Sequence, residues 1–252
     1  MFANKLKAFS IHLLLSLILV SVLMGLVIYF WFPLDYLGIT SFKDIALLII
    51  AIDLVLGPVL TFIVFNPKKK SLKFDLAAIV AFQFIAMTYG VYALYQTHPL
   101  FVTYKQGVFN LVNANEITPE NAKYNEFKIS KLSSAKLAFT KLPDNPKEKL
   151  EIMMGVDFKG EPDIDRRAEF YEPYENHLDT ILANSLDAVK LFSGDKLDEP
   201  RKNFLTKYKE MDSFAFLPLQ GSGNAAIIVL DKKTAKPVTT IHTNPWKYVK
   251  SP

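Results

Sequence analysis

Three long apolar stretches before Gln96 constrain this chain more than any other feature of its sequence. Residues 8–34 and 76–95 contain no charged side chain, and residues 45–65 contain one, Asp53. An α-helix rises about 1.5 Å per residue, so each stretch is long enough to cross a hydrocarbon core of about 30 Å. We therefore predict membrane-spanning helices over about residues 8–32, 45–65 and 76–95.

Lysines beside these stretches predict the orientation of the chain in the membrane. Lys5 and Lys7 precede the first stretch, and the loop over residues 66–75 contains four more lysines. The loop over residues 33–44 contains two aspartates and one lysine. Short lysine-rich loops stay in the cytoplasm, so the N-terminus is predicted to be cytoplasmic. The predicted division is a transmembrane region, 1–96, and an exported domain, 97–252.

The charge of the predicted exported domain argues against a nucleic-acid partner. Residues 96–252 contain 22 Lys and Arg against 21 Asp and Glu, with no basic tract. The overall net charge of +4 comes mainly from lysines beside the membrane. A nucleic-acid-binding face requires clustered cations that neutralise phosphates. The chain also has no cysteine, which excludes disulfides, thiol catalysis and cysteine metal sites.

Polar residues inside the apolar stretches are candidates for contacts between helices or with a partner. A carboxyl group at the centre of a spanning helix costs about 2.5–3.5 kcal/mol on insertion scales, so Asp53 requires a stabilising partner. Pro58 lacks a backbone donor, which predicts a kink near Asp53. Gly57 shares a helical face with Asp53 and Thr61, and it permits another helix to approach closely.

The estimated depth of the polar residues predicts two separate polar layers. Counting helical rise from the cytoplasmic edge places Asp53, Thr88 and Ser21 about 18–20 Å deep. The same count places His12, Thr61 and Gln83 about 6–10 Å deep. A charged carboxylate is costly in lipid and hydroxyl groups offset it poorly, so Asp53 is expected to be neutral. It either joins the helices of this chain or meets a group on a partner helix.

The remainder of the chain is predicted to be an α+β domain built around an antiparallel sheet. A hairpin is predicted from residues 100–104 and 108–112, and a second antiparallel set from residues 214–219, 225–230 and 238–242. Helices are predicted between these sets, over residues 146–154, 164–171, 173–192 and 200–208. Asp198 is the predicted cap of the last helix.

Signals for catalysis, metal binding or a cofactor are weak in this domain. His98, His177 and His242 are scattered without the spacing of metal ligands. The acidic group Glu161, Asp163, Asp165 and Glu169 is interpreted as a solvated helix start, because two arginines follow within it. We therefore predict no catalytic residues, no metal ligands and no cofactor, and the chain is predicted not to be an enzyme.

Several segments resemble the TfpX/TfpZ family of type IV pilin accessory proteins. The first is Lys7-Ala8-Phe9-x-Ile11-His12-Leu13-Leu14, and the second is Asp53-Leu54-Val55-Leu56-Gly57-Pro58-x-Leu60-Thr61. The third is Lys69-Lys70-x-Leu72-Lys73-Phe74-Asp75-Leu76. Near the end, Val229-Leu230-Asp231 and Asn244-Pro245-Trp246 are similar to the closing hairpin of the family. The middle of the domain carries no specific resemblance.

The resemblance implies a multi-pass protein of the bacterial inner membrane with a periplasmic C-terminal domain. It also implies that the protein assists the stability or assembly of a cognate major type IV pilin. The partners expected are therefore the pilin and the lipid bilayer. A second hypothesis is a membrane-anchored sensor whose exported domain binds a small ligand. The residue types alone fit both classes.

Overall fold

The computed structural model of the protein describes residues 1–193 and 197–249. Its first part consists of three helices long and apolar enough to cross a membrane: α1 (Phe2–Trp31), α2 (Phe42–Val64) and α3 (Leu72–Thr97). The three predicted spanning helices are confirmed. Each helix begins earlier than predicted, because helical hydrogen bonding continues through the charged residues that flank the apolar core of each span.

Helix α2 lies between the other two spanning helices and packs against both of them. Near the chain's N-terminus, Phe9 of α1 packs edge-to-face on Phe62 of α2, with ring centroids 6.3 Å apart. At the opposite end of the bundle, α1 and α3 approach each other through Trp31 and Tyr95, 5.6 Å apart. The remaining space between α1 and α3 forms a groove, described below.

The central turns of α2 differ from a regular α-helix. Phe42–Ile50 and Gly57–Val64 are α-helical, but Ala51–Leu56 forms a π-helix, in which the backbone bonds join residues five apart. Pro58 lies two residues after the π-helix, and its lack of an N–H favours such a disturbance of the hydrogen-bond ladder. The sequence predicted a kink near Pro58, and it did not predict the π-helix.

The C-terminal domain contains one seven-stranded sheet in the order β4-β3-β1-β2-β5-β6-β7. The strands are β1 (Pro99–Lys105), β2 (Val108–Asn113), β3 (Lys136–Thr140), β4 (Tyr171–Glu172), β5 (Phe214–Gln220), β6 (Ala225–Asp231) and β7 (Pro237–Ile241). The predicted α+β class and both antiparallel sets are confirmed. The two sets belong to a single sheet because β2 pairs in parallel with β5. On the other side of the hairpin, β1 pairs in parallel with β3.

Alternating residues of the central strands fill separate cores on the two faces of the sheet. On one face, Leu217 and Ile228 are fully buried in a cluster that includes Tyr174 and Ile181. On the other, Phe216, Ile227 and Val229 are buried beneath α6 (Ala188–Phe192) and α7 (Glu199–Lys207). The domain is therefore stabilised by apolar burial on both faces of the sheet.

The helices between the two strand sets match the predictions only in part. Helix α4 (Pro146–Lys159) is longer than predicted and ends at Gly160, which has a φ of 67°. Helix α7 begins at the predicted Asp198 cap, whose carboxylate accepts from the Arg201 N–H.

Two predicted helices of the middle region are wrong. Residues 164–171 form short 3₁₀ turns and a strand residue, because Tyr171 pairs with β3 and its hydroxyl donates to the Asp165 carbonyl. Residues 173–192 divide into a 3₁₀ turn, α5 (Leu178–Ala183) and α6. The division occurs where the Leu186 N–H donates to the Phe216 carbonyl on strand β5, which interrupts any continuous helix.

The connection between α1 and α2 forms part of the core of the C-terminal domain. Its 3₁₀ helix, Leu34–Ile39, buries Tyr36 and Ile39 among the sheet residues. The Ile39 carbonyl accepts from the Gly223 N–H at 3.2 Å, and the Asp35 carbonyl accepts from Thr240 at 2.7 Å. We call this segment, residues 34–39, the joint segment. It attaches the spanning helices to the domain at a second place, besides the chain connection from α3 to β1.

The chain connection from α3 to β1 is also tightly packed. His98 follows α3 directly and is fully buried, with its ring stacked on Trp31 at 5.5 Å. Its Nδ1–H donates to the Tyr95 carbonyl at 2.6 Å. Side-chain and backbone contacts therefore hold both connections between the helices and the domain in place, and neither connection is a flexible linker.

Candidate functional site

A network of hydrogen bonds joins polar side chains from all three spanning helices. His12 of α1 contacts Thr61 of α2 through Nδ1 at 2.6 Å, and Gln83 of α3 through Nε2 at 2.9 Å. The Gln83 amide then reaches Asp53 of α2, with Nε2 3.2 Å from Oδ1 and 3.3 Å from the backbone carbonyl. The structure thus brings His12, Thr61, Gln83 and Asp53 into one network.

When His12 is neutral, all the hydrogen bonds of the network can be donated in the same direction. Gln83 directs its amide nitrogen at Asp53, so its oxygen accepts from His12 Nε2–H. The other ring nitrogen of His12 then accepts from the Thr61 hydroxyl. Every hydrogen in the network is donated towards Asp53. One carboxyl oxygen of Asp53 is the final acceptor.

The π-helix of α2 explains why Gln83 also bonds to the backbone of Asp53. The Gly57 N–H donates to the Ile52 carbonyl, five residues earlier. The next residue, Pro58, has no N–H to donate to the Asp53 carbonyl. Gln83 supplies the missing donor from α3, at 3.3 Å. A backbone group that would otherwise be unsatisfied in lipid is thereby paired.

Gly57 makes room for this contact. A Cβ atom at position 57 would overlap the side-chain amide of Gln83. Glycine therefore allows the Gln83 side chain to pass across the face of α2 and reach Asp53. The predicted role of Gly57 was close approach of a helix; the structure has instead a close approach of one long side chain.

Thr88 does not join the network, and the predicted separate layer of Asp53, Thr88 and Ser21 is wrong, because Gln83 joins Asp53 to His12. The Thr88 hydroxyl is exposed and donates to the Phe84 carbonyl of its own helix at 2.7 Å. Ser21 is exposed on α1. The depth estimate placed His12 level with Thr61 and Gln83, which it contacts, but it failed for Asp53 because it assigned each residue only a height along the membrane normal. It included neither the reach of the Gln83 side chain nor the direction in which each side chain points.

The second carboxyl oxygen of Asp53 has a different environment. The Asp53 side chain is buried, with 4% of the residue exposed. Its Oδ2 atom has no hydrogen-bond partner within residues 1–193 and 197–249. Asp53 lines a cavity of about 520 Å³ at the base of the groove between α1 and α3. This oxygen is the unpaired polar atom of the membrane site.

The walls of the groove are apolar and face lipid. Helix α1 contributes Ile11, Leu15 and Leu19, and helix α3 contributes Val80 and Phe84. All five are at least half exposed. The site therefore consists of a polar floor, formed by the network, between two apolar walls.

Ion pairs of the C-terminal domain stabilise loops. Arg166 bonds Glu116 at 3.1 Å and Asp165 at 3.3 Å, and Lys105 pairs with Asp163. Burial raises the pKa of Asp165, and the charge of Arg166 offsets this only in part. Burial would also raise the pKa of Asp163, but hydrogen bonds from Lys105 and the Ile164 N–H outweigh it and lower that pKa.

The three histidines of the domain lie in separate surroundings. His177 stacks on Phe139 at 3.8 Å and bonds Glu172 at 2.8 Å, whereas His98 is buried beneath Trp31. His242 is exposed beside Gly38. Their positions fit local structural roles.

The fold and the site together define a class: a three-helix membrane protein with an α+β domain and a polar network inside the membrane region. Comparisons with known proteins show which family within this class the chain resembles. Residues 1–40 match the family described as fimbrial assembly protein FimB. No solved structure matches the chain.

The relatives are fimbrial assembly proteins of Dichelobacter nodosus. The protein of serogroup E1 is 29% identical over 242 residues, covering 92% of each chain. The protein of serogroups C1 and C2 is 34% identical over 119 residues, which is 46% of this chain and 89% of that relative. The protein of serogroup I is also 34% identical over 119 residues, or 46% of each chain. The chain belongs to the fimbrial assembly protein family.

Proposed function

We infer that this protein is an inner-membrane accessory protein that assists the stability or assembly of a type IV pilin, as the TfpX/TfpZ resemblance implies. Relatives described as fimbrial assembly proteins support a role in fimbrial assembly. The role is one of association, in which the protein holds a pilin subunit without chemical conversion. The lipid bilayer and the pilin are its partners.

The observation that carries this proposal is the ordered attachment of the C-terminal domain to the spanning helices. The joint segment and His98 fix the domain to the bundle at two places. A type IV pilin subunit waiting for assembly has one helix in the bilayer and a globular head in the periplasm. A protein that fixes a periplasmic domain above a membrane bundle can contact both parts of such a subunit at once.

The proposed orientation has the N-terminus in the cytoplasm and the C-terminal domain in the periplasm. It is supported by Lys5, Lys7 and the lysines of residues 66–75, which are all on one side of the three-helix bundle. We divide the chain into a transmembrane region, 1–96, and a periplasmic domain, 97–252. The joint segment is a part of the first region that contributes to the core of the second.

A ligand sensor is the second candidate. A hollow of about 490 Å³ in the C-terminal domain is lined by polar residues, among them Gln220, His242 and Asn244. Such a hollow favours a small polar ligand over an apolar one. A sensor would alter gene expression or signalling, whereas an accessory protein acts on the pilin itself.

Deletion of the gene tests the proposal. We expect surface pili and pilus-dependent motility to fall, with pilin transcript unchanged, and both to return when the full chain is supplied from a plasmid. Pilin should also co-purify with the protein from native membranes. Unchanged piliation in the deletion strain would contradict the accessory role. A fall in pilin transcript would favour the sensor.

A further inference from the structure

We propose that the groove between α1 and α3 is a docking site for one membrane-spanning helix of the partner, held at its centre by a hydrogen bond to Asp53. This inference rests on the proposed function, which names the partner as a pilin. It adds the surface that receives the pilin and the residue that fixes its position.

The walls have the shape that a helix requires. Residues of α1 line the groove from Ala8 to Leu19, and residues of α3 line it from Leu76 to Met87. Eleven residues of helical rise correspond to about 17 Å, or three turns of a helix laid along the groove. The lining residues of each wall recur at helical spacing, so both walls are continuous stripes. Apolar anchors at such spacing are the usual way in which one helix docks into a groove.

The floor selects a helix over a lipid chain. Asp53 Oδ2 is buried and is unpaired within the described part of the chain. An acyl chain in the groove offers no hydrogen-bonding group, so it would leave this oxygen unpaired at a cost of about 1–3 kcal/mol. A partner helix with a polar side chain at this depth can pair with it. Small and hydroxyl-bearing residues are common where spanning helices pack together.

Asp53 is held so that only one oxygen is available. Gln83 occupies Oδ1 and also the backbone carbonyl. Gly57 leaves the space that Gln83 needs, and His12 orients Gln83 from α1. An ionised carboxylate is strongly disfavoured in lipid, so the acid is neutral and its Oδ2–H is a donor that has no acceptor among the described residues. The docked helix therefore presents a hydrogen-bond acceptor, such as a hydroxyl or side-chain carbonyl oxygen.

Two variants on neighbouring positions of α1 test the groove itself. Leu15 lines the groove and is 62% exposed; Leu14 is 58% exposed and does not line it. Leu15→Trp fills the groove without disturbing the packed core, and Leu14→Trp adds the same bulk elsewhere on the lipid-facing surface. We expect Leu15→Trp to lower pilin recovery from native membranes about tenfold at equal protein level, a change equivalent to about 1.4 kcal/mol. Leu14→Trp is expected to recover pilin normally.

Substitutions of Asp53 test the hydrogen bond. Asp53→Leu is expected to lower pilin recovery per unit of protein, because it removes the donor. Asp53→Asn is expected to restore most of that recovery, since its oxygen can face Gln83 while its amide donates into the groove. If Asp53→Leu recovers as much pilin as the wild type, the hydrogen bond is not used.

Cross-linking in living cells identifies the occupant directly. A photoreactive amino acid replaces Leu15 in the full-length chain, and the control replaces Leu14. A pilin adduct at position 15 and none at position 14 is the expected result. Adducts at position 15 with lipid alone, or with a second copy of this chain, would overturn the proposal. If the groove is not the docking site but the proposed function is correct, piliation still falls in the deletion strain. If the proposed function is wrong, piliation in the deletion strain is unchanged.

Discussion

At the scale of single residues, the two oxygens of Asp53 have different environments. Oδ1 accepts from Gln83 at 3.2 Å, while Oδ2 is buried beside the groove without a partner in residues 1–193 and 197–249. Most buried polar atoms in native proteins have a hydrogen-bond partner, so an unpaired carboxyl oxygen requires an explanation. The remaining oxygen is why we assign the site to a partner as well as to internal packing.

Gln83 is the residue whose role was hardest to predict. Its estimated depth placed it level with His12 of α1, but gave no indication that it would also bond Asp53 of α2. An amide can do this because it carries a donor and an acceptor on one planar group. Sequence patterns indicated which polar residues were unusual, but the bonds between them depend on the directions of long side chains across three helices.

His98 gives a prediction for the pH dependence of stability. Burial lowers the pKa of His98 below its usual 6.5, against an opposing effect of the hydrogen bond to the Tyr95 carbonyl. As pH falls below about 6.5, the unfolded chain takes up a proton that the folded chain resists. His98 therefore makes the protein less stable as pH falls through that range.

The measurement compares melting temperatures of the detergent-solubilised protein at about pH 7.5 and about pH 5.5. In His98→Asn, whose amide can still donate to Tyr95, the loss of stability on acidification should be smaller than in the wild type. His242→Asn is the control, because His242 is exposed. An equal acid-induced loss in His98→Asn and the wild type would contradict the assignment to His98.

At the scale of secondary-structure elements, helix α2 and the joint segment determine how the molecule is put together. The π-helix in α2 leaves the Asp53 carbonyl free for Gln83 and so connects α2 with α3. The joint segment buries Tyr36 and Ile39 in the core of the C-terminal domain. The loop between two spanning helices therefore forms part of the core of the C-terminal domain.

Gly221 and Gly223 form a matched pair that tests the joint segment. A Cβ atom at position 221 would overlap the Ile39 carbonyl, whereas the nearest atom to a Cβ at position 223 is 3.7 Å away. Gly221→Ala is expected to lower the free energy of unfolding by about 1–3 kcal/mol, the usual cost of overpacking. In a chain of this size that lowers the melting temperature by about 2–4 °C per kcal/mol.

Gly223→Ala is the control and should melt within a degree or so of the wild type. Limited proteolysis gives a second measurement. Loosening of the joint segment by Gly221→Ala should expose residues 34–39 to cleavage, which Gly223→Ala should not. If the two variants have the same melting temperature and are cleaved at the same rate, the joint segment does not attach the domain in the way described.

At the scale of the whole molecule, the two attachments between bundle and domain make the chain a continuous unit across the membrane surface. His98, which follows α3, stacks on Trp31 of α1, and hydrogen bonds anchor the joint segment to β7 and to the β5–β6 turn. A partner helix docked between α1 and α3 would therefore have a fixed position relative to the C-terminal domain. This arrangement suits an accessory protein that receives one subunit with a membrane part and an external part.

Reporter fusions test the orientation on which this picture depends. Alkaline phosphatase is active only after export, so fusions after Gln96 and after Pro252 should be active. A fusion after Lys70 should be inactive, because the lysine-rich loop is expected to stay in the cytoplasm. β-Galactosidase fused at the same positions should give the opposite pattern. Activity of phosphatase at Lys70 together with silence at Pro252 would reverse the proposed topology.

The sequence by itself determined the elements with strong local signals. Uninterrupted apolar length determined α1, α2 and α3, since a helix is the economical way to satisfy the backbone in lipid. Short apolar runs bounded by turn sequences indicated the β1–β2 hairpin and β5 to β7. Asp53 stood out because a carboxyl group is costly inside a span, and Pro58 stood out because it removes a backbone donor from the helix.

Only the tertiary structure decided which of these parts meet. The parallel pairing of β2 with β5 joins strands separated by about a hundred residues, and no local pattern encodes such a contact. The same holds for Ile39 beneath the β5–β6 turn and for Gln83 between His12 and Asp53. Local periodicity determines which face of a helix or strand is apolar. Which other element packs against that face depends on the arrangement of all the elements, because apolar burial and hydrogen bonding are completed only in the whole fold.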